Sequence, residues 1–580
     1  MNTTHRGRPA AAVLFGAAIL LALPSSRAGA QTSREEISRE VHKTLPLKAG
    51  QRLEVDHSSG DVRIKGQPGS EVRVDARIRV SGSDMEEAKK FADAITVEIE
   101  SNATGVLVRT RYPEEQRGLF TGSRRVSYSV NYDIAVPEGA AVSVRNKFGD
   151  VWTEGLKGGS DLHNANGKLV FRGGRGTARL ENAFGSLEVA GNAGDADVTN
   201  ANGVLTVADV EGLLTARNRF GRVSITRAKK VTFSGSNADV SVTSSGPTSV
   251  TTSFGAVEAA TVNGDLTVQN SNGAVRARGV AGDAELNGSF GSIDFSDVGK
   301  SVRCTGTNSK VTGRKVGGTA TIQNTFGPVE LSEVGGSTEV QNQNGGVRLR
   351  DIHGSATVRN RFGAVEVSGI AGAATISNGN AAVSVANVEG AVDVHNSFGA
   401  VTISVAKRGV KVNSGNGGVS AADVQGATFV KTSFGLVEAA RISGDLTVEN
   451  SNGAVQASDV QGSANVRTSF SPIVLSGVSG AVDVDNQNGS VELRDVAAGA
   501  KACSRISVRT SFAPVRVSLP ENRGYAVSAR TSFGRIHTEL PITVSGTSGD
   551  SLLGKIGDGA CPVEITNSNG NIDLVKQSPR

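Results

Sequence analysis

Between Val142 and Gly499 the apolar residues come in short alternating runs, and the runs return every 18 residues. The segment Ser355 to Gly372, SATVRNRFGAVEVSGIAG, sets the pattern, with apolar or special residues at Ala356, Val358, Asn360, Phe362, Val365, Val367 and Ile370. Most steps are two, the period of an extended strand whose alternate side chains face a core. The rhythm breaks at Gly363-Ala364, at Ser368-Gly369 and around Gly372. Three breaks per repeat predict three short faces joined by corners, and glycine supplies the positive φ that corners need. The next repeat, Ala373 to Gly390, runs the same way through Ala374, Ile376, Asn378, Asn380, Val383, Val385 and Val388.

One slot marks the period. Phe148, Phe184, Phe220, Phe254, Phe290, Phe326, Phe362, Phe398 and Phe434 each precede Gly, at steps of 36 residues with one step of 34, and Phe470 continues the series. Midway between them sit Asn166, Asn202, Asn272, Asn344, Asn416, Asn452 and Asn488. Two residues ahead of this slot runs a second Asn column, including Asn146, Asn164, Asn182, Asn360, Asn378 and Asn396. A fixed short period is the mark of a solenoid, in which each repeat touches only its neighbours. Val, Thr, Ser, Asn and Gly dominate, and none is a strong helix former.

The expected fold is therefore an all-β parallel β-solenoid, or β-helix, with 18-residue coils and capping regions at both ends. Right-handed coiling is the default for parallel crossovers. About twenty coils at roughly 4.8 Å each give a rod about 95 Å long. The two-residue rhythm places the Phe slot inward, as a structural core column of Phe148, Phe184, Phe220, Phe254, Phe290, Phe326, Phe362, Phe398, Phe434 and Phe470. One Phe every second coil would fill a narrow interior, consistent with an aromatic content of only 4%. The Asn columns would hydrogen-bond from coil to coil.

The ends differ in texture. Residues 1–30 read as a signal peptide, with Arg6 and Arg8 ahead of the apolar run Ala10 to Leu23 and an Ala28-Gly29-Ala30 cleavage site. Residues 31–45 read as a polar leader, mobile or briefly helical. Residues 46–140 form an N-terminal β-rich capping region with one helix at Asp84 to Ala94, N-capped by Ser83 or Asp84. The regular array spans 141–498, and 499–580 is an irregular closing region. There the steps become 42 and 21 residues (Phe470, Phe512, Phe533), and Asn567-Ser568-Asn569-Gly570 restores the motif once.

Charge and cysteine narrow the function classes. The segment 1–30 holds three Arg and no acid, so 61 basic residues less those three leave 58 against 56 acidic. With no basic stripe interleaved with aromatics, nucleic acid is not an expected partner. No later stretch is long and apolar enough for a transmembrane segment after signal cleavage. Of the three Cys, Cys503 and Cys561 both lie where the rhythm fails and are the expected disulfide, which an oxidising compartment permits. Cys304 sits in a mid-rod coil as a small buried hydrophobe. The His residues are scattered, and Asp61, Asp150, Asp195, Asp265, Asp283 and Asp445 sit beside Gly, where Asp commonly serves turns. No catalytic residue, cofactor or metal site emerges.

The opening Leu45 to Asp61 (LPLKAGQRLEVDHSSGD), the helix-containing insertion, the Val136-Pro137 step into Gly-x-Val coils and the ending Thr566 to Leu574 (TNSNGNIDL) resemble the bacterial putative-adhesin family. Its members are exported β-strand-repeat proteins, similar to the domains called head GIN. The resemblance covers essentially the whole chain after residue 30. It implies a β-repeat fold, no catalytic residues and no cofactor.

The expected function is an exported, non-catalytic adhesin or cell-envelope binding or structural rod. Its location would be periplasmic, cell-surface or extracellular. Its partner would be an envelope polymer, a surface or a protein. A periplasmic scaffold in envelope organisation or stress signalling is the first alternative. A carbohydrate-active β-helix enzyme is the second.

Overall fold

Each coil is built from two strands. Ala356–Phe362 and Val365–Ile370 make one coil, and each pairs in parallel with its counterparts one coil before and one coil after. The partners are 18 residues apart, as in Val358 with Ile376 and Val367 with Val385. The computed structural model describes residues 36–113, 126–497, 503–548 and 550–577. Across them the chain forms a parallel β-solenoid of about 20 turns. The signal segment 1–30 and most of the insertion near 498–505 lie outside the described residues.

The single 34-residue step has a simple origin. Asn202 faces Phe220 at an offset of 18, but Asn237 faces Phe254 at an offset of 17. Two successive coils are each one residue short, so neither column loses its place.

The core is aliphatic and thin. In one coil Ala356, Val358, Val365, Val367 and Ile370 are buried, and Asn360 is buried with them. Only three array Phe lie inside, Phe171, Phe233 and Phe295, and glycine makes room for each. A Cβ on Gly174 would lie 2.3 Å from the Phe171 ring, and one on Gly235 2.8 Å from that of Phe233.

The expected inward Phe column is corrected here. Phe148, Phe184, Phe220, Phe254, Phe290, Phe326, Phe362, Phe398, Phe434 and Phe470 are all exposed, from 42% at Phe362 to 59% at Phe148. The alternation does not carry through to that slot. Ala356, Val358 and Asn360 point in, and then both Arg361 and Phe362 point out. The buried Asn is the cause, because its side chain occupies the inside of the corner. Asn360 Nδ2 donates to Gly363 O at 2.9 Å, and Asn396 Nδ2 donates to Phe398 O and Gly399 O at 3.2 and 2.9 Å. An amide can bond corner carbonyls that a phenyl ring would leave unpaired.

At the N-terminal end the first coil comes from Arg52–His57 and Val62–Gln67, parallel to Ala141–Phe148 and Val151–Glu154. Gly105–Arg111 and Ser127–Pro137 form the layer beyond it. Glu71–Ser81 joins antiparallel to Ser127–Pro137, and Glu36–Pro46 antiparallel to Glu71–Ser81. The helix is Met85–Ala94, and Asp84 caps it by accepting from the backbone of Glu86 and Glu87. Residues 36–46 are thus a strand, not a leader. Its apolar residues Ile37, Val41 and Leu45 are four apart, because Arg39 and Lys43 share their face. Arg39 Nη2 and Lys43 Nζ donate to Ile95 O and Ile99 O at 2.5 and 2.6 Å.

The closing region stacks out of chain order. Ile506–Phe512 continues the rod, but the strand beside it is Cys561–Asn569, and Tyr525–Thr531 lies beyond that. Val515–Leu519, Ile572–Lys576 and Ile536–Thr538 stack in the same order. The hairpin of Thr543–Ser548 and Ser551–Ile556 pairs antiparallel with Tyr525–Thr531 and covers the end. Cys503 and Cys561 are disulfide-bonded, their Cα atoms 5.0 Å apart, where the inserted layer begins.

A Phe and Asn strip as the candidate binding face

Parallel stacking places every Phe slot on one line along the rod. Phe faces Asn in the adjacent coil throughout, as in Asn344 with Phe362 and Phe362 with Asn380. Successive rings are two coils apart, about 10 Å by strand spacing. The series extends past Phe470 to Phe512 and Phe533, exposed by 53% and 79%. Asn569 pairs with Phe512, and Asn567 with Thr531 two residues before Phe533. The spatial order is therefore Phe512, Asn569, Phe533, and the alternation survives although the chain order is broken.

Four outer Asn side chains, Asn166, Asn202, Asn272 and Asn569, are anchored to backbone carbonyls. Asn166 Nδ2 donates to Lys147 O at 3.1 Å and Asn202 Nδ2 to Ala183 O at 3.3 Å, each in the preceding coil. This leaves the amide oxygen at the surface for a hydroxyl or water donor.

The strip around the slot is charged in its first six coils, at Lys147, Asp150, Lys168, Arg219, Arg222 and Asp239, and almost uncharged from Ser253 onward. Four residues per coil, from the one before the slot to two after it, run as SFGA at Ser253 to Ala256, TFGP at Thr325 to Pro328 and SNGA at Ser451 to Ala454. From Ser253 through the coil of Asn569, the only charges in these positions are Lys310 and Arg361. That length is roughly 70 Å at about 4.8 Å per coil.

Charges flank the strip and pair among themselves. Arg359 reaches Glu339 at 2.6 Å, Arg217 reaches Asp197 at 2.7 Å and Arg348 reaches Glu366 at 2.7 Å. The basic row (Arg145, Arg217, Arg359, Lys431, Arg467) and the acidic row (Glu188, Glu258, Glu330, Glu366, Glu438) are thus locally neutralised in part. Hydrogen bonds from Lys168 and Arg172 hold the Glu188 carboxyl below its ordinary range.

Beside the strip lies a polar groove of about 440 Å³, walled by Thr305, Thr307, Gln323, Thr325, Gln341, Gln343, Arg359 and Arg361 over the buried Asn column. Arg361 stacks on the neighbouring Phe362, 5.6 Å from the ring centroid.

Other candidate chemistry resolves into structure. Asp195 Oδ1 accepts from Leu213 N at 2.7 Å, Asp265 Oδ1 from Asp283 N at 3.0 Å and Asp445 Oδ1 from Ser463 N at 2.8 Å, so these carboxylates tie corners of adjacent coils. A corner column that sequence reading missed holds left-handed residues, among them Asp209, Asp351, Asn387, Asp423 and Asp459 at φ of 54 to 59°. Its signal was the Asp, Asn or Gly just before the last buried aliphatic of many coils, residues that tolerate that conformation, although Arg227, Thr261, Lys315, Val405 and Arg441 adopt it too. In it, Arg227 grips Asp209 and Arg441 grips Asp423, each through two bonds of 2.6 and 2.8 Å.

His57 occupies the buried Asn column in the first coil, opposite Asn146. Its Nδ1 lies 3.0 Å from Thr110 Oγ1, and burial lowers its pKa to about 4. Burial pushes the Cys304 thiol up to about 12. Among the described residues no three His, Cys, Asp or Glu are grouped to hold a metal ion, and no helix is long and apolar enough to cross a membrane.

Residues 392–575 match the Toastrack family, DUF4097. The Toastrack segment takes in the closing region and the coils from Val392 onward, and the same coil runs back from there to Ala141. Over that segment the match supports the putative-adhesin resemblance. One structural neighbour is a putative cell adhesion protein from Clostridium sporogenes, 10% identical over 38% of this chain and 99% of that one, with a TM-score of 0.17. Another is a putative adhesin from Parabacteroides distasonis, 13% identical over 56% and 97%, with a TM-score of 0.14. Both TM-scores lie far below those of proteins with a common fold. No curated protein matches the chain in sequence.

Proposed function

We propose that this protein is an exported, non-catalytic rod that binds an envelope polymer, surface or protein along its Phe and Asn strip. The observation that carries the reading is the order Phe512, Asn569, Phe533. Core packing gives no reason to keep an alternation in solvent-exposed positions, least of all where the chain must change order to do so. Twelve exposed Phe in one line are also more than scattered single surface hydrophobics, and ordered exposed apolar groups mark interaction sites. Export is supported by the signal-like residues 1–30 and by the Cys503–Cys561 disulfide, a bond favoured outside the cytosol.

Two measurements test this. Cell fractionation should place the processed protein outside the cytoplasm. Purified protein should sediment with isolated envelopes, and Phe→Asn changes along the strip should abolish that. Cytoplasmic retention, or binding indifferent to the strip, would reject the reading.

A further inference from the structure

We propose that the strip binds an uncharged, extended β-1,4-linked glycan laid parallel to the rod axis. The inference rests on the binding reading above and names the partner class.

Three observations converge on it. The first is spacing. Aromatic rings recur every two coils, about 10 Å, which is close to the rise of one disaccharide in an extended β-1,4-linked chain. In such a chain every second sugar presents the same face. A polymer in register would therefore meet a ring at each repeat. The electron-rich face of a phenyl ring favours the polarised C–H groups on the flat side of a sugar.

The second is the hydrogen-bonding set between and beside the rings. Outer Asn side chains alternate with Phe, and in this stretch Asn272 and Asn569 are anchored by Nδ2 donating to Ser253 O and Ser511 O. The adjoining groove adds Gln323, Gln341 and Gln343 with Thr305 and Thr325. Amides and hydroxyls both donate and accept, as a row of sugar hydroxyls requires.

The third is charge. A polyanion would call for a basic strip, and a polycation for an acidic one. From Ser253 to the coil of Asn569 the strip has only Lys310 and Arg361, while the flanking rows are charged and partly paired with neighbouring side chains. A neutral polymer complements that strip. A second copy of the rod is the competing occupant, because rings could interleave with Asn gaps. The polar groove, however, would then have no apolar counterpart to cover it.

The test uses the purified full chain with microcrystalline cellulose and with chitin, and insoluble starch as the α-linked comparison. The variant changes Phe254, Phe290, Phe326, Phe362, Phe398 and Phe434 to Asn. Asn already fills the alternate slots, so the fold should persist, and circular dichroism with a thermal melt checks this. A control variant, Arg441→Gln, alters the opposite corner column. The expected result is retention on cellulose or chitin but not starch, unchanged by high salt, kept by the control and lost by the six-Phe variant. Failure of folded wild-type protein to bind either β-linked polymer would overturn the inference, as would retention indifferent to the six substitutions. A wild-type dimer in analytical ultracentrifugation that the variant converts to monomer would overturn it in favour of a second copy. If envelope binding depends on the strip while both glycans fail, the glycan assignment falls and the broader function stands.

Discussion

Gly313 lies one coil from Phe295 in the same inward column, and a Cβ on it would fall 2.2 Å from the Phe295 ring. The ring fits only because its neighbour has no side chain. Gly313→Val should therefore destabilise the rod by about 1–3 kcal/mol, the usual penalty of overpacking. Pairing it with Phe295→Val should recover most of the loss. A denaturant midpoint unmoved by Gly313→Val would contradict the packing.

Aliphatic and aromatic positions of one coil should behave oppositely. Ile370 is 1% exposed and Phe362 is 42% exposed. Ile370→Ala should cost about 2–5 kcal/mol, as other large-to-small core changes do. Phe362→Asn should cost about 1 kcal/mol, roughly half the burial value of a Phe side chain. Equal effects in urea melts would restore the Phe slot to the core.

Most of the architecture was legible because stacked coils write their period into the sequence. Strand pairing and register follow from the 18-residue return, but the three faces expected per coil are not three strands: each coil has two, Ala356–Phe362 and Val365–Ile370 in the type example. The facing of the Phe slot was not legible. Strict alternation assigns Phe362 inward, and only the bonds of Asn360 to the corner show why the pleat slips there. The strand Glu36–Pro46 was hidden by Arg39 and Lys43, which share the face of Ile37, Val41 and Leu45. The stacking of Cys561–Asn569 ahead of Tyr525–Thr531 depends on contacts distant in sequence and leaves no local signal.

The N-terminal coil should weaken in mild acid. Burial is the main reason His57 is lowered from the ordinary 6.5 to about 4, against smaller opposing effects that include Asp56 and Asp61. The folded state therefore resists a proton that the unfolded state accepts. His57's contribution is fully present above pH 6.5, falls as pH drops, and levels off below about pH 4, for a total of about 3 kcal/mol. His57→Asn, which repeats the residue found at Asn146, should flatten that part of the curve. Wild-type and variant stabilities that fall in parallel between pH 7 and 4 would refute it.

Thiol chemistry should separate the three cysteines. The disulfide spans 58 residues, for which chain entropy gives about 4 kcal/mol. Non-reducing mass spectrometry should find the Cys503–Cys561 peptide, and Cys503→Ser should lower the melting temperature. Cys304 is buried with its thiol held protonated, so iodoacetamide should label it only after denaturation. Rapid labelling of Cys304 in native protein would show that its coil opens.

The out-of-order layer also bears on biosynthesis. A chain emerging N-terminus first can add coils one after another as they arrive, since each new strand needs only its predecessor. Ile506–Phe512 must wait, because its next partner is Cys561–Asn569 rather than Tyr525–Thr531. A polypeptide released before residue 561 would carry a raw parallel edge at the growing tip and a hairpin with nothing to cover. Such edges recruit other chains and proteases. Closure thus completes only in a chain that has reached Cys561–Asn569.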